Sequence, residues 1–278
     1  MKIAVANLIA RKIQIWGIKN VFLFQGGAIM NVLSEVGKSK HIRYYCPYHE
    51  QSLAMAVDAS SRVGKMSAGF VTSGPGATNL ITGVACSYYD SVPAIFFSGQ
   101  VGRFHVTGKR KVRQRGFQES DIVSLFKPIT KLSCQITNAD EAEEILDKAY
   151  DTAISGRPGP VLIDVPFDIQ KSLVSIKNNK IRKKNSLKKI DRNKLSKIIN
   201  SLKLSKKPLI ICGGGVRISN SIKNFLQLIE KNKIPFVTTW PAQDVVPYNH
   251  PYNFGSIGRH AHNSANIIAA EADLILTL

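Results

Sequence analysis

Short apolar runs alternate along the chain with stretches in which apolar residues recur every three or four positions. The runs at 21–24, 43–46, 68–72, 94–98, 129–133 and 161–165 predict strands. The stretches 2–16, 51–63, 77–88, 120–125 and 139–155 predict helices. In the first of these, Val5, Leu8, Ile9, the stem of Lys12, Ile15 and Trp16 form the apolar face. Regular alternation of strand and helix predicts an α/β fold, a parallel sheet with helices on both faces. "SGRPGP" at 155–160 closes the last helix and launches a buried strand.

Further on the pattern restarts. A strand at 208–212 is followed by the turn Gly213-Gly214-Gly215-Val216, a helix to about 231, a strand at 235–239, a helix at 264–270 and a strand at 273–277. The expected organisation is a first domain at 1–170, a linker at 171–195 and a partial second α/β domain at 196–278. With three strands that stop in mid-strand, the second unit would be marginal alone. The chain is therefore expected to be part of a longer protein, or to have this sheet completed elsewhere.

Charge changes the picture little. The net charge is +19, but eleven Lys/Arg and one acid, Asp191, fall between 171 and 197, in a stretch rich in Asn and Ser. Such a run reads as an exposed linker rather than a nucleic-acid surface. No apolar run is long enough for a membrane span. Arg11 and Lys12 interrupt the opening apolar stretch, so no signal peptide is expected. Cys46, Cys86, Cys134 and Cys212 form no CxxC and read as reduced core thiols of a cytoplasmic protein. His41, His105, His250 and His262 show no metal-ligand spacing and read as surface or packing residues.

Four glycine-rich turns follow strands: 24–28, 72–79, 98–103 and 211–217. None is GxGxxG or GxxxxGK[ST], so the dinucleotide and P-loop motifs are missing. In parallel sheets ligands bind at the carboxyl ends of strands, where glycine lets backbone approach them closely. Taken singly, each of these is simply a turn. Glu50 opens a helix, which the macrodipole alone would favour. That helix is unusually small-sided, with Ala54, Ala56, Ala59 and Ser60.

The ordered stretches "YHEQSLAMAVDASSRVGK", "VTSGPGATNLITGVACSYYDSVPAIFFSGQV", "VRQRGFQESDIVSLFKPITK" and "GRPGPVLIDVPFDIQ" closely resemble the pyrimidine-binding domain of thiamine-diphosphate enzymes, the acetolactate synthase branch in particular. The resemblance runs from about 20 to 170 and continues more weakly through "PLIICGGGV" and "EADLILTL", which are similar to the family's central domain.

The resemblance implies a 2-oxoacid decarboxylase or carboligase. It makes Glu50 the hydrogen-bond partner of N1′ of the cofactor's aminopyrimidine, favouring the imino tautomer that removes the thiazolium C2 proton. A carboxyl in that role needs shielding from water, which a small-sided, closely packed helix provides. Gly26, Gly27 and Ala28 would lie against the cofactor or a developing oxyanion. Pro75, Gly76 and Asn79 would border the pyrimidine, and Phe117 and Gln118 would face the reacting carbon. Glu50, Gln118 and Gly27 are thus the expected catalytic set. Some family members carry FAD; the matching positions are Arg157, Gly213, Gly214, Gly215, Thr239, Gly258 and His260. The resemblance also implies a homo-oligomer, dimer or tetramer, with active sites at subunit interfaces.

Departures from the family pattern matter. Gln25 stands where a proline is usual, and Arg259 where an apolar residue is usual. The segment 108–116 places five cations before Phe117. The cationic segment reads first as a solvated loop; the sharper reading of these departures is a larger, anionic acceptor such as a nucleotide-linked keto sugar, as an alternative to acetolactate synthesis. The family's Mg²⁺- and diphosphate-binding GDG motif is absent, and Asn178-Asn179 lies in the basic stretch. The chain is therefore expected to supply half a site and to be inactive alone, with Mg²⁺ held by another domain. A non-catalytic paralogue is the remaining alternative.

Overall fold

The computed structural model describes residues 2–64, 66–108, 110–176 and 191–278, so the inner part of the basic stretch, with Asn178-Asn179, lies outside the described residues. The chain divides into two compact units, 1–179 and 180–278.

In the first unit the elements run β1 (Lys2–Ala4), α1 (Val5–Ile15), β2 (Asn20–Leu23), α2 (Met30–Gly37), β3 (Arg43–Tyr45), α3 (Glu50–Val63), β4 (Ser67–Val71), α4 (Pro75–Thr78), α5 (Ile81–Tyr89), β5 (Ala94–Gln100), α6 (Ile122–Phe126), β6 (Leu132–Gln135), α7 (Ala142–Ile154), β7 (Pro160–Pro166), α8 (Phe167–Lys171) and β8 (Leu173–Ser175). Six strands form one parallel sheet in the order β3-β2-β4-β5-β7-β6.

Both faces of the sheet are covered, which is why its central strands read as continuous apolar runs. Phe70, Ile95, Phe97 and Ile163 pack against α1, α2 and α7 on one face. Val71, Phe96 and Leu162 pack against α3, α5 and α6 on the other. Phe70 and Phe97 stack across neighbouring strands at 4.8 Å.

The first expected helix starts late, because residues 2–4 pair antiparallel with β8. Lys12 does not merely lend its stem to the apolar face. The whole side chain is buried, and its ammonium meets Asp147 at 2.9 Å and Glu143 at 3.0 Å on α7. Ile15 is 57% exposed rather than in the core. The helix expected at 77–88 is broken between α4 and α5, and the strand expected at 129–133 forms later, as β6, after a turn containing Pro128. The helix α2 has no counterpart in the expected elements. The basic stretch is also shorter as a linker than expected, since β8 lies near its start and α9 (Arg192–Leu204) begins before its end.

The second unit continues with β9 (Pro208–Cys212), α10 (Gly215–Ile218), α11 (Ile222–Asn232), β10 (Phe236–Thr238), β11 (Asn253–Ser256), α12 (Asn263–Glu271) and β12 (Leu274–Thr277). Its parallel sheet has four strands rather than three, in the order β11-β10-β9-β12. Its core joins Ile210, Phe225, Ile229 and Phe236. The thiols were expected in the core, but only Cys212 is buried and Cys134 half-buried; Cys46 and Cys86 are exposed.

Candidate cofactor site

The chain leaves β2 to one side, forms β3, and returns through α3 to β4 on the other side of β2. That reversal opens a crevice at the carboxyl ends of β2 and β4, the place where such sheets bind ligands. Gly26 leaves one strand and Thr72 the other. A Cβ built on Gly26 would stand 2.4 Å from Thr72 Cβ, and one on Gly76 would stand 2.7 Å from Thr72 Cγ2. Thr72 Oγ1 also accepts from the Ala28 amide at 3.3 Å. Both glycines are therefore required by close approach to one threonine.

Glu50 begins α3, capped by His49, whose Nδ1 accepts from the Gln51 amide at 3.1 Å. The glutamate is only 8% exposed. Its Oε2 accepts from Asn79 Nδ2 at 3.0 Å. Its Oε1 makes no hydrogen bond among the described residues and faces the space above Gly76, where a Cβ would lie 3.6 Å away. Pro75 opens α4, and its carbonyl accepts from the Asn79 amide at 3.1 Å, which turns Asn79 back towards Glu50.

Next to this cluster is a cavity of about 510 Å³, lined by Gly27, Ala28, Thr72, Gln100, Phe117 and Gln118 among others, with His105 and Arg115 at its edge. Phe117 is 83% exposed. Gln118 has φ +57°, and its carbonyl would sit 2.2 Å from a Cβ on Gly74. The segment after Gly102 is gathered onto Glu119, which accepts from the Thr107 amide (2.7 Å) and hydroxyl and from the Arg115 amide (3.1 Å). Burial works to raise the Glu119 carboxyl; these bonds outweigh it and leave it below its ordinary value. Arg115 lies over the Phe104 ring at 4.3 Å and donates to the Phe104 carbonyl, and Arg110 donates to the Val106 and Thr107 carbonyls. Two of the five cations expected at the pocket are thus partly used in holding their own loop.

The structure brings Gly26, Gly27, Ala28, Glu50, Gly76, Asn79, Phe117 and Gln118 into one region. Arg157 lies elsewhere, donating to Ser91 Oγ (2.6 Å) and the Tyr89 carbonyl beside a cavity of about 270 Å³. Gly213, Gly214, Gly215 and Thr239 sit at the carboxyl ends of β9 and β10, the Thr239 amide donating to the Cys212 carbonyl at 3.0 Å. Gly258, with φ +138°, is bound to Asn266, and His260 and Arg259 are exposed.

Sequence reasoning missed Thr72, Gln100, Glu119 and Asp164. Asp164, on β7, is buried beneath the cavity and accepts from Ser98 Oγ (2.6 Å), Gln135 Nε2 (2.8 Å) and Gln100 Nε2 (3.2 Å). Burial pushes its carboxyl up to about 6, against the pull of those three bonds. A carboxyl raised in the folded state binds more protons there than in the unfolded chain. Its contribution is therefore complete below its ordinary 3.8 and is lost as pH rises through about 6. Asp164→Asn should flatten the stability change between pH 4 and 6 relative to wild type, measured by urea unfolding at each pH; an unchanged slope would assign that dependence to other groups.

Crevice, glycine cradle and buried carboxylate thus meet at the carboxyl ends of β2 and β4. The family pattern described as "Thiamine pyrophosphate enzyme, N-terminal TPP binding domain" matches residues 3–125, and "Thiamine pyrophosphate enzyme, central domain" matches residues 195–278. The chain belongs to the thiamine pyrophosphate enzymes. It is 35% identical over 277 residues to the acetolactate synthase large subunit of Lactococcus lactis, covering 98% of this chain and 47% of that one. It is 35% identical over 283 residues to the probable acetolactate synthase large subunit of Methanocaldococcus jannaschii (98% and 46%), and 35% over 274 residues to the mitochondrial acetolactate synthase of Schizosaccharomyces pombe (94% and 40%). The chain thus spans about half the length of these relatives. No helix among the described residues is long and apolar enough to cross a membrane.

Proposed function

We propose that this chain forms the pyrimidine-binding side of the active site of an acetolactate synthase-like carboligase acting on a 2-oxoacid. One observation carries the reading. Glu50 is buried as a residue, yet its Oε1 has no partner among the described residues and faces a space kept open by Gly76. A ring nitrogen bearing a proton fits there, so the residues present suit thiamine diphosphate. When bound, that cofactor supplies the electron sink for loss of CO₂ from a 2-oxoacid.

Glu50 Oε1 holds the proton shared with the ring. Asn79 fixes the other oxygen, so the carboxylate cannot rotate away. The Gly26–Ala28 turn gives the ring a flat wall. Gln118, held in a left-handed conformation, and the exposed Phe117 line the cavity beside the ring. Magnesium and the diphosphate are assigned to other residues; among the described residues no three His, Cys, Asp or Glu side chains converge. FAD is assigned to the strand ends of the second unit that carry Gly213, Gly214, Gly215 and Thr239.

The outward faces of α3 and α5 carry exposed Met55, Ala59, Val63, Thr82, Cys86 and Tyr89, with no charge among them. Such a surface suits a second copy of the chain, adjacent to Glu50. The reading is of a cytoplasmic homodimer or higher homo-oligomer. A second reading, a larger anionic acceptor, is favoured by Arg115 and His105 at the cavity edge.

A nuclear magnetic resonance titration of the chain with millimolar thiamine tests the site and the association together. The amide signals of Gly76 and Asn79 should move, and they should not in Glu50→Gln. Unmoved wild-type signals would overturn the site assignment, and the tumbling time of a 30.6 kDa monomer would overturn the dimer.

A further inference from the structure

At the opposite end of β2 and β3 from Glu50 lies a second cleft, of about 780 Å³, lined by Gln14, Gly17, Lys19, Asn20, Lys40, His41 and Arg43. Three permanent cations and a histidine line it, and no carboxylate does. Among the described residues, Lys19, Lys40 and Arg43 make no ion pair. The nearby Glu35 is already taken, by Lys38 and by Asn7, each at 2.6 Å.

The backbone that carries these cations is cross-tied. Ser39 Oγ accepts from Gln14 Nε2 at 3.0 Å and from the His41 amide at 3.2 Å. The Arg43 amide donates to the Lys19 carbonyl at 2.8 Å, and Gly17 turns the chain with φ +72°. The carbonyl ends of α1 and α2 favour some positive charge here. They do not account for a concave site with four basic groups on two tied turns. Among the described residues no Phe, Tyr or Trp lines the cleft, so it offers a ring little beyond the His41 imidazole to stack on and much for linked anionic groups.

We propose that this cleft binds a polyphosphate-bearing small molecule through Lys19, Lys40 and Arg43, at a site separate from the cofactor cavity. At least two linked phosphoryl groups are needed to reach cations on both turns at once. Recognition lies in the phosphates, whether they come from a free polyphosphate or from a nucleotide.

Calorimetric titration of the chain at low salt with tripolyphosphate, orthophosphate and ATP tests this. Tripolyphosphate should bind at least about tenfold more tightly than orthophosphate. Replacing two charge-assisted contacts, in the double variant Lys19→Ser with Arg43→Ser, should weaken it by roughly tenfold or more. Serines at Lys183, Lys184, Lys188 and Lys189 in the basic stretch should leave it unchanged. ATP binding as tightly as tripolyphosphate would support the proposal with a nucleotide as the source; weaker ATP binding would support it with a free polyphosphate. Equal binding of orthophosphate and tripolyphosphate, no measurable binding, or loss only in the basic-stretch variant would each overturn it. Melting curves establish that the exposed substitutions leave the fold intact, and the outcome is independent of whether thiamine binds near Glu50.

Discussion

Glutamine in place of Glu50 is expected to slow proton loss from the reactive carbon of the cofactor by about 10²–10⁴-fold, the usual contribution of a positioned acid–base group. The substitution is close to isosteric. The carboxamide oxygen can still accept from Asn79, now 3.0 Å from Oε2. What changes is the other position, where an amide nitrogen would meet the ring and could neither accept its proton nor hold it. Glu50 also stabilises the start of α3, but the loss of a charge at a helix N-terminus costs only about 0.3–1 kcal/mol. Chemistry should therefore fall far more than stability. Hydrogen–deuterium exchange at the thiazolium C2 of the assembled enzyme reads the first, and a thermal melt the second. Exchange at the wild-type rate would remove Glu50 from the mechanism.

Gly74→Ala is expected to be the most damaging single methyl group in the first unit. Gly74 has φ +54° and ψ −117°, a conformation costing a residue with a Cβ on the order of 1–3 kcal/mol. The new Cβ would also stand 2.2 Å from the Gln118 carbonyl oxygen, which is backbone and cannot swing aside. Overpacking of that kind adds roughly 1–3 kcal/mol. Together these predict a loss of about 2–6 kcal/mol in urea unfolding, with Phe117 and Gln118 displaced from the cavity. Gly27→Ala is the control, because nothing lies within 4 Å of its Cβ position. It should change stability by no more than about 0.5 kcal/mol. Equal losses in the two variants would show that the contact at Gly74 is relieved by movement of the loop.

The sheet was legible because burial on both faces leaves an unmistakable mark, as in "AIFFSGQ" of β5, where all seven residues are buried. Elements that bury little were not. The helix α2 fully buries only Val32 and Val36, with Leu33 partly covered, too few for a period to show. The strand β8 has a single buried residue, Val174, inside a basic stretch whose composition says linker. The site divides in the same way. Glu50 and the glycine turns stand out as motifs carried by a family resemblance. Thr72, Gln100, Glu119 and Asp164 act by bonding other parts of the chain, across gaps of up to 66 residues. No local pattern marks such partners. The exposed thiols show the same limit: Cys46 lies on a strand-like run, but that run ends at the open edge of the sheet, where alternation no longer reports burial.

Thr72 touches the positions of two absent side chains at once and bonds a third residue's amide. Its two glycine neighbours therefore cannot drift separately. A methyl group at Gly26 or at Gly76 becomes tolerable only after Thr72 has shrunk, and a smaller residue there also removes the acceptor that fixes Ala28. The mutational order is constrained: the threonine must change first, and that step alone loosens the cradle before either glycine can gain anything. Random diversification of this pocket should recover substitutions at 26 and 76 only on backgrounds altered at 72, a signature of epistasis that deep mutational libraries of paired positions would resolve.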